Sequence, residues 1–360
     1  MNLTADQREI VAAVRAFVDR DVVPVASELE HADEYPESMV ETMREMGLFG
    51  TTIPEEYGGL GLGLDTYALI VMEISRGWVT LSGILNGSFI AATMIRLHGT
   101  EEQRQRFLPR LATMELRSSF SMTEPHAGSD VQAIRTTATR DGDEYIIDGQ
   151  KMWVTNGWRS GIVMLLAKTD PAADPAHKGM TGFIIEKEPE TSPPGLEIPM
   201  PGLKKLGYKG VESTELVFDG FRTPAASVLG GEAGVGQGFK YFMSGIEVGR
   251  VNVAARGVGL AQAALDDALR YAQEREAFGK KIGHHQAVQL MLAKMATRAE
   301  AAQENALDCL RIHGGYGYSL EYRPERYYRD APLLLIGEGS NEIQQLIIAR
   351  RLLEGFGKKH

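Results

Sequence analysis

The chain has 360 residues, 43% of them hydrophobic and 24% charged, with a net charge of −10 and a single cysteine. That length predicts two or three domains. The acidic balance, without a dense Lys/Arg stripe, excludes nucleic acid as a partner, because neutralising phosphates takes clustered cations. No apolar run approaches the ~18–20 residues of a membrane helix, the first residues carry no signal- or transit-peptide pattern, and Cys309 has no internal disulfide partner. The expectation is a cytoplasmic globular protein without a membrane segment.

The first third reads as helical. Thr4 and Gln7 have capping-box spacing, and Ile10, Val11, Val14, Phe17 and Val18 then fall on one helix face. Pro24 breaks that helix or begins the next, and Pro36 opens another that stops at Gly47–Gly50. After a glycine-dense loop, helical patterns cover Asp65–Arg76, Leu81–His98 and Thr100–Met114. From Arg117 the texture changes to short β-branched or alternating runs: Ser118–Thr123, Ile134–Thr139, Tyr145–Ile147, Met152–Thr155, Ile162–Lys168, Thr181–Glu186 and Thr214–Phe218. Asp141-Gly142-Asp143 is a hairpin signal. No long helix alternates with these strands, so the sheet is expected to be antiparallel. Helical periodicity returns from Gly238 to about Arg275, with a small-residue stretch from Ala254 to Ala264, and continues at Ile282–Ala302, Glu304–Ile312 and Asn341–Phe356. The fold class is α+β and mostly helical: an N-terminal helical domain (1–115), a central antiparallel β domain (116–228) and a C-terminal helical bundle (229–360).

Four groups of residues invite a chemical reading. The glycines at 231, 234, 236 and 238 lack the strand–helix–strand context of a dinucleotide fingerprint, since the residues after Gly238 stay helical for over thirty positions; they read as connections between domains. Thr123-Glu124-Pro125-His126-Ala127-Gly128-Ser129-Asp130 offers free backbone donors and two hydroxyls, suited to a polar heterocycle or a phosphate, and equally to a plain turn. His126 has no metal-ligand spacing around it, so no metal is expected. In Lys151-Met152-Trp153-Val154-Thr155-Asn156-Gly157, a Trp beside a Thr can cover a flat ring and bond its rim, although a lone Trp also fits a core. Glu338 stands between two glycines after the apolar run Leu333–Ile336. It is either an exposed turn residue or a partly desolvated carboxylate whose raised pKa suits a base.

Taken in order, these groups resemble the acyl-CoA dehydrogenase family. The resemblance runs through Thr-Glu-Pro-x-Ala-Gly-Ser-Asp, Lys-Met-Trp-Val-Thr-Asn-Gly, Arg275-x-x-Phe278-Gly279-Lys280 with His285-Gln286, Ile-His-Gly-Gly-Tyr-Gly-Tyr and Gly-Glu-Gly-Ser-Asn-Glu-Ile-Gln, and covers essentially the whole chain. It implies FAD as cofactor. Met122, Thr123, Gly128, Ser129, Trp153 and Thr155 would contact the flavin, and Arg275, Phe278, Gln286, Gly314 and Gly315 would hold the adenine and pyrophosphate end of the FAD of a neighbouring subunit. Ser340 and Glu342 would complete the cofactor site. Ser129, Glu247, Arg250 and Gly339 match acyl-CoA-contacting positions, Glu247 and Arg250 sharing a helix face at i,i+3. Glu338 would be the base. The family's alternative base position, on the long helix, holds Gly249 here. The implied reaction is α,β-dehydrogenation of an acyl-CoA thioester, feeding fatty acid and lipid metabolism, with an electron-transfer flavoprotein as acceptor and a homodimer or homotetramer as assembly. An acyl-CoA oxidase or flavin monooxygenase, or a truncated non-catalytic binding paralogue, are the alternative readings.

Some positions depart from the family. Gly337 replaces a Tyr, His126 a Gly and Arg311 a Gln found in other members. Thr80–Ala92 has no Arg to hold a distal carboxylate, which favours an aliphatic monocarboxylic acyl group. Between Gln286 and His313 the chain is short by about 30 residues, so the helical hairpin there is expected to be about 22 Å shorter, at 1.5 Å per residue, with its turn near Arg298–Asn305.

Overall fold

The computed structural model describes residues 3–297 and 302–337. Its first helix starts for a local reason. The Thr4 hydroxyl accepts from the Gln7 amide while Gln7 Oε1 accepts from the Thr4 amide, satisfying two donors that a first turn leaves open. Helix α1 (Ala5–Phe17) runs into a π-helical turn before Pro24, and α2 (Ala26–Ala32) follows. Helix α3 (Glu37–Glu45) begins after Pro36 and is closed by Gly47 at φ +71°. Then come α4 (Leu64–Gly77), α5 (Val79–His98) and α6 (Glu101–Ala112), the last opened by a second reciprocal cap between Thr100 and Gln103.

Helix α5 corrects one expectation. Its 20 residues are long and apolar enough to cross a membrane by length and composition. Interspersed Thr, Ser, Gly and Asn hide this from a search for an unbroken apolar run. The helix is buried by its neighbours: Ile90, Ala91, Met94 and Ile95 share a core with Phe107, Leu108 and Leu111 of α6.

The strands are β1 (Ser118–Ser121), β2 (Thr137–Asp141), β3 (Glu144–Thr155), β4 (Ile162–Lys168), β5 (Met180–Glu186), β6 (Leu196–Glu197) and β7 (Ser213–Pro224). They form one sheet in the order β1-β4-β2-β3-β7-β6, with β5 on β4. Two expected strands fuse into β3, and the turn through Gly142 at φ +63° joins β2 to it. The sheet is mixed rather than antiparallel, because β1 and β2 both pair parallel with β4. Parallel neighbours need a long crossover, and here the β2–β3 hairpin supplies it in place of a helix. Strand β4 reads Ile-Val-Met-Leu-Leu-Ala because both its faces are covered. Ile162, Met164 and Leu166 join the core shared with α5 and α6, while Val163, Leu165 and Ala167 join a second core with Tyr145, Ile147, Phe183 and Leu216.

By packing, one compact unit extends to Ala255 and a second begins at Arg256. The division falls inside α7 (Gly238–Glu274), whose first turns add Phe242 to the α5–α6–β4 core. In the second unit Ala261, Ala264, Ala268 and Ala272 of α7 are buried, along with Met295, Ala306, Cys309 and Tyr327. A short hairpin, β8 (Glu276–Ala277) and β9 (Lys280–Lys281), precedes α8 (Gln286–Thr297) and α9 (Ala302–His313). The helical stretch expected from Ile282 therefore begins as a 3-10 turn, and Ala302 and Glu304 stand in one continuous helix. Helices α10 (Pro324–Asp330) and α11 (Leu333–Ile336) follow. The helix expected over Asn341–Phe356 lies outside the described residues. Asp267 organises this unit, accepting from Arg323 and, at 2.8 Å, from the Tyr327 hydroxyl, while His313 stacks on Tyr271 at 4.2 Å.

Gln103 ties the helices to the end of the β segment. Its Nε2 donates to Ala226 O (3.1 Å) and Val228 O (2.7 Å), and its Oε1 accepts from the Gly230 amide (3.0 Å). Replacing Gln103 by Leu keeps the volume but strands these buried backbone groups. A loss of about 2–4 kcal/mol is expected, read as a lowered midpoint in urea unfolding followed by tryptophan fluorescence.

Candidate functional site

Strand β3 carries the feature around which the site is built. Its register against β7 shifts between Lys151, opposite Leu216, and Val154, opposite Thr214. One extra residue is thus inserted in β3, a bulge that re-aims side chains. Within it Trp153 takes φ +62°, a left-handed conformation that costs a bulky residue about 1–2 kcal/mol. The result is an indole 54% exposed on a strand whose neighbours Val154 and Lys151 are buried. Thr155, beside it, is half-buried and paired with Ser213. Asn156 and Gly157 then make the turn out of the strand. Asn156 sits at φ +61°, and a Cβ on Gly157 would lie 2.3 Å from Thr214 Oγ1, so only glycine fits.

The second wall comes from the segment after β1. Thr123 O accepts from the Met152 amide at 2.9 Å, which seats Met122 and Thr123 against the bulge. Glu124 and Ala127 exchange backbone hydrogen bonds at 2.9 and 3.1 Å around Pro125-His126. Gly128 and Ser129 are exposed beyond them, and a Cβ at Gly128 would meet only Thr123 Cγ2 at 3.9 Å. Among the described residues, the backbone amides of Thr123, Gly128 and Ser129 have no hydrogen-bond acceptor. An exposed indole edged by open amide donors and hydroxyls suits a flat heterocycle bearing carbonyl oxygens.

Beneath this surface lies a pair that the sequence reading did not single out. Lys151 and Glu124 are buried and joined at 2.8 Å. The Lys151 ammonium also donates to Met122 O at 3.0 Å. Glu124 accepts in addition from the Arg135 amide (2.6 Å), the Thr136 amide (3.0 Å) and the Thr136 hydroxyl (2.6 Å), with His126 Nε2 3.5 Å away. Burial alone raises the Glu124 carboxyl; the ammonium and these donors outweigh it and hold the group below its usual range. Burial pushes Lys151 down to about 8, against the pull of Glu124. Leaving either charge alone at this depth costs roughly 3–5 kcal/mol. The only sequence signal was a charged residue inside each of two motifs, which spacing alone does not distinguish from a solvated side chain.

Of the positions matched to a thioester ligand, Glu247 is exposed on α7 and Arg250 is half-buried one turn later. Among the described residues the buried Arg250 Nε has no hydrogen-bond partner. Gly249 is buried between them. In the second unit, Arg275 and Gln286 are exposed, and Phe278 protrudes at 95% exposure from the β8–β9 turn, where it and Gly279 take φ +51° and +76°. Gly314 (φ +62°) and Gly315 are exposed, and a Cβ on either would meet nothing within 4 Å. Glu338, Gly339, Ser340 and Glu342 lie outside the described residues.

Comparison with known proteins agrees with this arrangement. The sequence profile of the acyl-CoA dehydrogenase N-terminal domain matches residues 4–115, that of the middle domain 119–221, and that of the C-terminal domain 236–308 and 299–353. An acyl-CoA dehydrogenase of Bacillus subtilis (strain 168) is 37% identical over 390 aligned residues, covering 99% of this chain and 100% of the relative. The acryloyl-CoA reductase (NADH) of Anaerotignum propionicum is 35% identical, covering 98% and 96%. A solved glutaryl-coenzyme A dehydrogenase in complex with glutaryl-CoA superposes with a TM-score of 0.90 at 35% identity, covering 98% of this chain and 96% of that one. Aligning 360 residues over 390 positions requires gaps in this chain. The two pieces of the C-terminal match overlap at 299–308, a range that begins after α8 and runs into α9. With all three domain profiles matched in order and the ring-sized surface at Trp153 in place, the chain belongs to the acyl-CoA dehydrogenase family, whose members carry FAD.

Proposed function

We propose that the chain oxidises an acyl-CoA thioester to its trans-2-enoyl form, with Glu338 taking the α-proton. The observation that carries this reading is Trp153, held out of its strand at positive φ beside three open amides. That surface fits the isoalloxazine of FAD, with Met122, Thr123, Gly128, Ser129 and Thr155 as its remaining contacts and Ser340 and Glu342 completing the site. Bound FAD supplies the acceptor for the hydride that leaves the β-carbon. An α-proton of a saturated thioester is too weakly acidic for a carboxylate in water. The chain therefore has to exclude solvent from Glu338, raising its basicity, and to hold the thioester oxygen with amide donors such as that of Glu338 itself. Glu247, Arg250 and Gly339, with Ser129, are the proposed acyl-CoA contacts. Thr80–Ala92 of α5 contains no cation, which points to an acyl group without a distal carboxylate.

Phe278 supports an oligomer. An aromatic ring 95% exposed at the tip of a hairpin gains nothing in an isolated protomer. In a homodimer or homotetramer it would cover FAD of the neighbouring subunit, with Arg275, Gln286, Gly314 and Gly315 beside it. An electron-transfer flavoprotein is the proposed electron acceptor. A second reading, reduction of an α,β-unsaturated acyl-CoA, is favoured by the similarity to acryloyl-CoA reductase.

Anaerobic titration of the yellow holoprotein with saturated acyl-CoAs tests the main reading. One of them should bleach the flavin band, and Glu338→Gln should slow the bleaching by about 10²–10⁴-fold. No bleaching by any saturated acyl-CoA, with enoyl-CoA reoxidising the dithionite-reduced protein, would establish the second reading instead. Phe278→Ala should weaken FAD binding roughly tenfold, about 1.4 kcal/mol, and leave the unfolding midpoint of the FAD-free protein unchanged. Equal FAD affinity in the variant would remove Phe278 from the cofactor site.

A further inference from the structure

The pair beneath the site has a geometric consequence for the surface above it. In a trans peptide the carbonyl and the following N–H point in opposite directions. Lys151 binds the carbonyl of Met122 from the buried side at 3.0 Å, which turns the N–H of the same peptide, that of Thr123, the other way. The next peptide is clamped as well, since Thr123 O accepts from the Met152 amide at 2.9 Å and the Glu124 amide donates to Ala127 O at 2.9 Å. Thr123 thus sits between two fixed peptides, with an N–H that has no acceptor among the described residues. The orientation of Lys151 is itself fixed by Glu124, whose remaining capacity is taken up by Arg135 and Thr136. A cation on a peptide carbonyl also draws electron density from the amide, making its N–H a stronger donor.

We infer that Lys151 and Glu124 are positioning residues for the cofactor: together they aim and polarise the Thr123 N–H toward the flavin, so that a buried ion pair with no direct contact to the ring sets its affinity and reduction potential. This rests on the flavin site proposed above, and the role is distinct from holding the fold, because two neutral side chains of similar size would pack the same space without polarising the peptide.

The test compares wild type with the double variant Lys151→Met/Glu124→Gln, which leaves no unpaired charge. FAD affinity is read by quenching of flavin fluorescence, midpoint potential by equilibration with a reference dye, and folding by circular dichroism. The double variant should fold like the wild type, bind FAD about tenfold more weakly for the loss of one charge-assisted donor, and show a more negative midpoint potential, since the donor favours the reduced, more electron-rich ring. A folded double variant with wild-type FAD affinity and potential would overturn the proposal. A second measurement needs no variant: in wild-type protein labelled with [¹⁵N]threonine, FAD loading should move the Thr123 amide proton downfield, and an unmoved signal would equally overturn it. Failure of wild type to bind FAD at all would instead defeat the flavin site itself.

Discussion

One ammonium group, buried between a carboxylate and a main-chain carbonyl, joins the two stretches of the functional face. Lys151 comes from β3 and Glu124 from the segment after β1, so their contact joins the two stretches whose outer residues form the ring surface. The charges are tolerable at this depth because nearly every lone pair and proton is used: Glu124 accepts from two amides, a hydroxyl and the ammonium, and Lys151 also reaches Met122 O. Such a pair adds little net stability over an apolar replacement. Its worth is aim, since it holds Met122 O from the buried side of the segment that Met152 also grips through Thr123 O.

The same two motifs divide into residues that make the site and residues that make the backbone capable of carrying it. Trp153 and Thr155 alternate with buried Lys151 and Val154, and Asn156 and Gly157 close the turn. The strain of placing a tryptophan in the left-handed region is offset by the ladder on both sides, which resumes at Val154–Thr214 as if nothing had intervened. A second register shift, between Ile147 and Gly149, falls on a glycine; strain placed instead on one exposed aromatic is what a surface prepared for a partner looks like.

Much of this was legible in the chain because local signals and the tertiary structure agree. Thr4–Gln7, Gly47, the Gly142 turn and the apolar run of β4 each specify their own geometry, and the α–β–α order follows from their sequence. What escaped depends on distant partners. Parallel pairing of β1 with β4, Ser118 opposite Ile162, is decided by where the intervening β2–β3 hairpin folds, and no periodicity in either strand encodes it. Helix α5 reads as interrupted because its Thr, Ser and Asn residues find partners only in the folded unit, as Thr80 does on Lys209 O at 2.7 Å. Lys151 and Glu124 look like any solvated pair until the strand buries them.

The inserted residue in β3 also sets the evolutionary grammar of this segment. Side chains on a strand alternate with a period of two, so the extra residue is what lets Lys151 and Val154, three positions apart, both face the interior; a single-residue deletion between them would restore an unbroken ladder and remove the bulge in which Trp153 takes its positive φ. The residue left between them would take ordinary extended backbone, and the indole would lose the aim that the bulge gives it. Length changes should therefore be absent from these few positions in functional descendants of this chain. The exposed connection between β4 and β5 around Asp170–Asp174 is free of that constraint, and drift in length belongs there.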